Sequence, residues 1–328
     1  MNKKSLMLTT LLAVAMMATP LVSTVQARIT EEHHYGPTGE GFTEYYGTMG
    51  GANFYVLIPD DWTNPLGDGM LFVICRSTLY VEDPRQSIED YPFAQALASQ
   101  GIAVAASNYG TTIQSTKEGV IRTHQLTEFV IDNFGVTGKV FLCGTSLGGA
   151  VSLILGEKHP DIYSGVLDIS GVKDWAMMYN TAANYQGSDL FLTVLYVIAK
   201  AGYEARARFG GTPDERPQKY AKTSPTSYTD LSIPVISLIH ALDVIVEPEQ
   251  TYKYHSLVGD TWHVVVEIYE NTPGALPPIP GFPPPTSWYG HFDPLTWVAR
   301  AFYFQYLVSW SNGDIGPGDI PPVFTPPP

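Results

Sequence analysis

Residues 144–148 (GTSLG) place a serine between two glycines at a predicted junction of two elements. An apolar run, residues 140–143, comes before them, and a helical stretch follows. A buried strand that turns sharply into a helix through G-x-S-x-G presents the serine hydroxyl above a sheet, where it can act as a nucleophile. The glycines are needed because side chains would clash at so sharp a turn. We therefore predict that Ser146 is a nucleophile and that the backbone N–H of Leu147 donates to an oxyanion.

A serine nucleophile needs a base that takes its proton and a carboxylate that orients the base. Asp243 lies in the turn straight after a predicted strand, residues 233–239. His291 follows the last predicted strand and comes just before the last predicted helix. The carboxyl ends of parallel strands meet at one edge of a sheet, so both side chains should lie on the same side as Ser146. This spacing predicts that Asp243 is the acid and His291 the base.

Other residues compete for these roles. Glu247 is an alternative acid, but it stands at the start of a predicted helix, where the helix dipole already explains a carboxylate. His240 ends a strand and is better explained as a structural residue beneath the loop of the acid. Asp243 and His291 are therefore preferred.

The rest of the chain must position these residues. Apolar runs of strand length alternate with helical stretches, which predicts a mostly parallel sheet with helices on both faces. The alternation lapses at about residues 173–231, where we expect a helical cap inserted over the active site. A loop rich in proline, residues 272–289, leads to His291.

The chain resembles secreted α/β-hydrolases of the prolyl-oligopeptidase-like and esterase-like group over roughly residues 44–310. Residues 240–243 (HALD) resemble the His-Gly-x-x-Asp of that group, and residues 246–248 (VEP) resemble its Val-Pro step. The resemblance implies the α/β-hydrolase fold. It also assigns the nucleophile to Ser146, the acid to Asp243 and the base to His291.

The chain departs from the group at the oxyanion loop. The group usually has His-Gly after its third strand, whereas this chain has Cys75-Arg76-Ser77-Thr78. The resemblance implies that Thr78 supplies the second oxyanion N–H, or Ser77 if the strand ends one residue earlier. Arg76 could hold a substrate carboxylate or form an ion pair with an acid of the protein.

Ester hydrolysis through an acyl-enzyme is the favoured reaction. Four aromatic residues predicted in loops on the catalytic side could form the pocket wall, although ordinary packing also explains them: Tyr109, Trp175, Trp288 and Tyr289. An exopeptidase of the prolyl-oligopeptidase type is the alternative, but neither a propeller domain nor a Glu pair for a substrate amino group is evident. A non-catalytic binding protein is disfavoured by the intact Ser–Asp–His set.

The N-terminus is typical of an export signal. Lys3 and Lys4 precede an apolar run at residues 6–18, and residues 25–27 (VQA) form a small-residue cleavage site. We expect residues 1–27 to be a signal peptide, and the product to be secreted or periplasmic with no membrane span after processing. Residues 28–328 then form one hydrolase domain, which ends in a Pro/Gly-rich tail, residues 311–328, that we expect to be loosely held.

Net charge and the placement of histidines and cysteines indicate which substrates, cofactors and cross-links to expect. A net charge of −14 disfavours nucleic acid and anionic membranes, so we expect a small-molecule or polymer-borne ester as substrate. The histidines are scattered without metal-ligand spacing, and no metal or other cofactor is expected. Cys75 and Cys143 end neighbouring strands and are either a disulfide or two buried thiols.

Overall fold

One sheet of nine strands runs through the part of the chain that the computed structural model describes, namely residues 26–37, 39–76, 83–87, 90–109, 116–206, 208–269, 291 and 294–324. The strands are β1 (Ala27–Tyr35), β2 (Phe42–Met49), β3 (Ala52–Pro59), β4 (Leu71–Cys75), β5 (Ala103–Ser107), β6 (Val140–Thr145), β7 (Tyr163–Ile169), β8 (Val235–His240) and β9 (His263–Ile268). Their order in the sheet is β1-β2-β3-β5-β4-β6-β7-β8-β9. The pairs from β1 to β3 and the pair β3–β5 are antiparallel, and the others are parallel.

Helices cover both faces of this sheet. They are α1 (Asp90–Ala98), α2 (Thr116–Phe134), α3 (Leu147–Lys158), α4 (Trp175–Asn184), α5 (Leu190–Glu204), α6 (Pro217–Thr223), α7 (Pro248–Val258) and α8 (Pro294–Asn312), with short 3₁₀ turns at Pro84–Gln86, Pro225–Ser227 and Pro317–Asp319. Buried residues of α2, α3 and α7 pack on one face, and those of α1 and α8 pack on the other. The prediction of a mostly parallel sheet between two helical layers is confirmed.

The central strands are buried along their whole length. All the residues of β4, β5 and β8 are buried, and so are the first five of β6. A parallel strand covered on both faces needs apolar side chains at every position, not only at alternate ones. The sequence carries continuous apolar runs here for that reason.

The two cysteines are free thiols. In the register of β4 with β6, Cys143 lies opposite Ile74, so Cys75 and Cys143 are offset by one residue. Side chains one position apart along a strand point to opposite faces of the sheet. Cys75 accordingly belongs to one core layer and Cys143 to the other. Of the two alternatives for these cysteines, the structure shows the buried thiols.

Two parts of the fold differ from expectation. β1 was not predicted, because this edge strand (ARITEEHHY) is almost wholly exposed and lacks the apolar alternation that marks a strand. The tail expected to be loose is anchored as far as the structure describes it. Ile320 and Phe324 are buried, and the backbone N–H of Phe324 donates to the carbonyl of Glu267 in β9 at 3.1 Å.

The segment between β7 and β8 folds into α4, α5 and α6. Asp174 begins α4 by accepting hydrogen bonds from the backbone N–H groups of Ala176 and Met177. Aromatic rings join these helices: Trp175 packs on Tyr203 with the ring centroids 5.9 Å apart. Trp175 is therefore the first residue of a helix, and the prediction that it lies in a loop is wrong.

None of the helices described is both long enough and apolar enough to span a membrane.

Candidate active site

Ser146 lies at the tip of the turn between β6 and α3. Its backbone has φ 56° and ψ −117°, a conformation that residues other than glycine rarely adopt. Hydrogen bonds on both sides hold it there: its N–H donates to the carbonyl of Ile169 at 3.0 Å, and its carbonyl accepts from Val172 N–H at 2.9 Å. Strain held by surrounding structure is common at functional sites. The turn leaves the side chain half-buried at the carboxyl edge of the sheet.

The glycines of the turn are required by close backbone approaches. A Cβ at Gly144 would lie 2.1 Å from the carbonyl oxygen of Gly148, and a Cβ at Gly148 would lie 1.9 Å from the carbonyl oxygen of Cys75. Neither position has room for a side chain. The N–H of Leu147 lies in the first turn of α3, where backbone N–H groups have no acceptor within the helix. Such an N–H group can donate a hydrogen bond to an oxyanion.

Asp243 and His291 are in direct contact. Asp243 follows β8, and its Oδ2 lies 2.7 Å from Nδ1 of His291. The other oxygen, Oδ1, accepts from the N–H groups of Ile245 and Val246, both at 2.9 Å. Both side chains are nearly inaccessible, since Asp243 and His291 are each 4% exposed. An ionised carboxylate can only accept, so Nδ1 carries the proton, and Nε2 is left as the basic nitrogen.

The competing residues have other partners. Glu247 begins α7 and accepts from the Thr181 hydroxyl at 3.0 Å. His240 is fully buried at the end of β8, and its Nδ1 accepts from the N–H of Leu242 at 3.0 Å. Each side chain thus has a structural contact near the Asp243 loop, and Asp243 is the carboxylate that meets His291.

A cavity of about 110 Å³ opens beside Ser146 under the helices α4 and α5. It is lined by Ser146, Leu147, Val172, Trp175, Met178, Ala182, Leu195, Tyr196, Ala199, Tyr203 and Ile245. The lining described is apolar apart from the serine, the indole and two phenols.

Burial raises the pKa of Tyr203 to about 12, against the opposing effect of Arg208. Burial also raises the pKa of Tyr196, with smaller effects from Glu247 and Asp243. Both phenols are therefore neutral at physiological pH.

The predicted pocket residues fall into three groups. Trp175 does line the cavity, and its indole N–H donates to the carbonyl of Thr223 at 3.0 Å. Tyr109 does not: it is 6% exposed and packs in the core, where its ring lies against Gly119 of α2. Its position after β5 predicted the correct sheet edge, but its side chain points into the helical layer. Thr78, Trp288 and Tyr289 lie outside the described residues, as does Ser77.

Arg76, predicted either to bind a substrate carboxylate or to pair with an acid, is 8% exposed. Within the ranges that the structure describes it forms no ion pair, and both roles stay predictions.

Most residues of the cavity wall were not predicted from the sequence. Leu195, Tyr196, Ala199 and Tyr203 recur at helical spacing along α5, a pattern that marks one buried face. That signal predicts an apolar face but does not say what the face covers. Met178 and Ala182, four residues apart on α4, complete the wall in the same way.

The comparisons with known proteins agree with this architecture. The model of a family described as "Putative esterase" matches residues 86–202, a segment that contains Ser146 and Leu147 but neither Asp243 nor His291. None of the curated protein sequences is significantly similar to this chain.

Solved structures of two kinds share the fold. Puromycin hydrolase superposes with a TM-score of 0.57 at 14% identity, over 94% of this chain and 42% of its own. Acetyl xylan esterases from Paenibacillus sp. R4 and Thermoanaerobacterium sp. JW/SL YS485 also give TM-scores of 0.57, at 11% and 13% identity, and cover 88% and 89% of their own chains. This chain thus spans about two fifths of puromycin hydrolase and most of each esterase. The chain has the α/β-hydrolase fold.

Proposed function

We propose that this chain is an exported serine hydrolase that cleaves carboxylic esters through an acyl-enzyme, with Ser146, His291 and Asp243 as its catalytic residues. The observation that carries the proposal is the buried contact of 2.7 Å between Asp243 and His291 at the sheet edge that also holds Ser146. The strained turn at Ser146 and the cavity beside it support the same assignment.

The reaction would proceed in two halves. Ser146 Oγ attacks the ester carbonyl carbon while Nε2 of His291 takes its proton, and Asp243 stabilises the resulting imidazolium. Leu147 N–H donates to the oxyanion, and Thr78 N–H is proposed as the second donor. The alcohol leaves with the proton from His291, and an ester of Ser146 remains. Water then attacks that ester with His291 again as the base, which releases the acid and restores Ser146.

The cavity favours a short, uncharged acyl group. Its volume of about 110 Å³ is smaller than the roughly 150 Å³ of a cavity that accommodates benzene. The lining described contains no charged side chain that could bind an anionic or cationic group. Esters of short aliphatic acids are therefore the proposed substrates.

An exopeptidase is the second candidate, because the fold is also that of puromycin hydrolase and of acylaminoacyl peptidase. A substrate amino group would need a carboxylate near the cavity, and none of the lining residues described is acidic. The ester substrate is preferred for that reason.

Hydrolysis of p-nitrophenyl esters and p-nitroanilides by the purified mature protein tests the proposal. We expect turnover of short-chain esters, and a fall in kcat on the order of 10⁴-fold or more in Ser146→Ala with no loss of folding. Ester turnover that survives in Ser146→Ala would disprove the mechanism, and anilide turnover exceeding ester turnover would favour the peptidase. Sequencing the N-terminus of the exported product tests the proposed cleavage after residue 27.

A further inference from the structure

A lysine and an aspartate lie fully buried beneath the candidate nucleophile. Nζ of Lys173 pairs with Oδ2 of Asp168, and both side chains are 0% exposed. Asp168 belongs to β7, and Lys173 belongs to segment 170–174, which connects β7 to α4. Replacing such a pair by apolar residues of similar volume is often neutral or stabilising, so stability alone does not explain it.

Asp168 lies against the first turn of α3. A Cβ at Gly149 or at Gly171 would come within 2.3 or 1.9 Å of its Oδ1. The dipole of α3 favours an anion at this end of the helix. Oδ2 also accepts a hydrogen bond of 2.7 Å from the hydroxyl of Ser237. The carboxylate thus fills the space between the helix that begins after Ser146 and segment 170–174.

Segment 170–174 holds the backbone of the candidate nucleophile. Val172, next to Lys173, donates its N–H to the carbonyl of Ser146 at 2.9 Å. On the other side, Oε1 of Gln250 accepts from the N–H groups of Lys173 and Asp174 at 3.2 and 3.1 Å. A displacement of Lys173 would therefore be passed to the turn that sets the position of Ser146.

The charged groups around Lys173 come from three elements. Burial lowers the pKa of Lys173, while the carboxylates of Asp168 and Asp243 oppose that shift. Burial, with His255 and then Lys173, holds the pKa of His263 in β9 well below its usual range. His263 is thus neutral, and its Nε2 meets the hydroxyl of Ser237 at 2.9 Å. Among the residues that the structure describes, the carboxylate in contact with the ammonium of Lys173 is that of Asp168.

We propose that Lys173 is a positioning residue for the candidate catalytic centre. Its buried ammonium, paired with Asp168, holds segment 170–174 against the backbone of Ser146. The inference rests on the proposed function and adds to it a residue outside the Ser146–His291–Asp243 set.

The double variant Lys173→Met/Asp168→Asn tests the role. It removes both charges together, whereas either single substitution to a neutral residue would leave the other charge buried without its partner. We expect a folded protein whose kcat for p-nitrophenyl acetate is lower by about 10- to 100-fold, with KM within about twofold of wild type. The split between kcat and KM separates this role from packing alone, because a general loosening of the site would raise KM as well as lower kcat.

Lys253→Met is the matched control. Lys253 pairs with Asp174 at 2.6 Å at the end of the same segment, but its side chain is 49% exposed. We expect kcat and KM at their wild-type values. If Lys253→Met lost activity as the double variant does, a general effect of ion pairs on the segment would replace the proposed one.

Two outcomes overturn the proposal in different ways. A folded double variant with wild-type kcat would contradict the role of Lys173 and leave the proposed function intact. Wild-type hydrolysis that does not depend on Ser146 would contradict both. If the double variant does not fold, Lys173→Gln is the second test, because its side chain keeps a donor towards Asp168. A wild-type kcat in Lys173→Gln would also overturn the role.

Discussion

The hydroxyl of Tyr196 donates a hydrogen bond to the carbonyl oxygen of Val244, while the ring of the same tyrosine lines the cavity beside Ser146. Val244 directly follows Asp243, so this contact joins α5 to the loop that carries the candidate acid. Tyr196 therefore contributes to the wall of the cavity and also holds the loop that positions Asp243 against His291.

Tyr196→Phe should weaken that connection, because it removes the hydroxyl and keeps the ring. We expect kcat for short-chain esters to fall about 3- to 10-fold with little change in KM, and the free energy of unfolding to fall by about 1 kcal/mol. Steady-state kinetics and urea unfolding measure the two effects. Tyr185→Phe is the control, since that ring packs on Tyr196 with the centroids 4.9 Å apart. An equal loss of kcat in both variants would contradict the role of the Val244 contact.

Asp243→Asn and Glu247→Gln form a matched pair of neutralising substitutions. Asn at position 243 can still accept from Ile245 and Val246, but it favours the wrong tautomer of His291 and cannot stabilise the imidazolium, so kcat should fall on the order of 10⁴-fold. Glu247→Gln should change kcat less than about threefold, because Gln can still accept from Thr181. The reverse pattern in an esterase assay would reassign the acid to Glu247.

Ala182→Leu should narrow the substrate range. Ala182 lines the cavity, so a larger side chain there occupies space proposed for the acyl group. We expect kcat/KM for p-nitrophenyl butyrate to fall on the order of tenfold relative to the acetate. Ala183→Leu, on the exposed side of α4, should leave that ratio unchanged. An unchanged butyrate-to-acetate ratio in Ala182→Leu would mean that the acyl group binds elsewhere.

Glu157→Gln should stabilise the fold in a pH-dependent manner. Burial raises the pKa of Glu157 to about 7, against the hydrogen bond of 3.2 Å that Oε1 accepts from the N–H of Asp230; Oε2 is buried and has no hydrogen-bond partner among the residues described. Ionisation of this carboxyl therefore costs free energy in the folded state above pH 7. As the pH falls from 7 towards 4.5, the folded state binds a proton before the unfolded chain does, and the cost disappears.

In urea unfolding at pH 8 we expect Glu157→Gln to be more stable than wild type by about 1 kcal/mol, a value reduced for the partial exposure of the group. The gain should shrink towards pH 5. Asp132→Asn, at an exposed carboxyl on α2, is the control and should show no comparable trend. A gain that grows towards pH 5 would contradict the assigned pKa.

The features that depend only on residues close together along the chain could be predicted from the sequence. A serine between glycines after an apolar run predicted a tight strand-to-helix turn, and the approaches of 2.1 and 1.9 Å at Gly144 and Gly148 leave no room for other side chains there. Continuous apolar runs predicted the buried parallel strands for an equally local reason, since both faces of each strand are covered. The positions of Asp243 and His291 after successive strands correctly predicted that the two would meet at one edge, because parallel strands end on the same side.

Only the tertiary structure decided the features that depend on where side chains point. Tyr109 and Trp175 both follow strands, yet one packs under α2 and the other lines the cavity, because the direction of a side chain depends on the helix that covers it. The offset of one residue between Cys75 and Cys143 is likewise a matter of register between distant segments, and it separates the thiols onto opposite faces. The pairing of Lys173 with Asp168 has no sequence signature, since the burial that makes the two charges depend on each other arises only when β7, β8 and α3 pack around them.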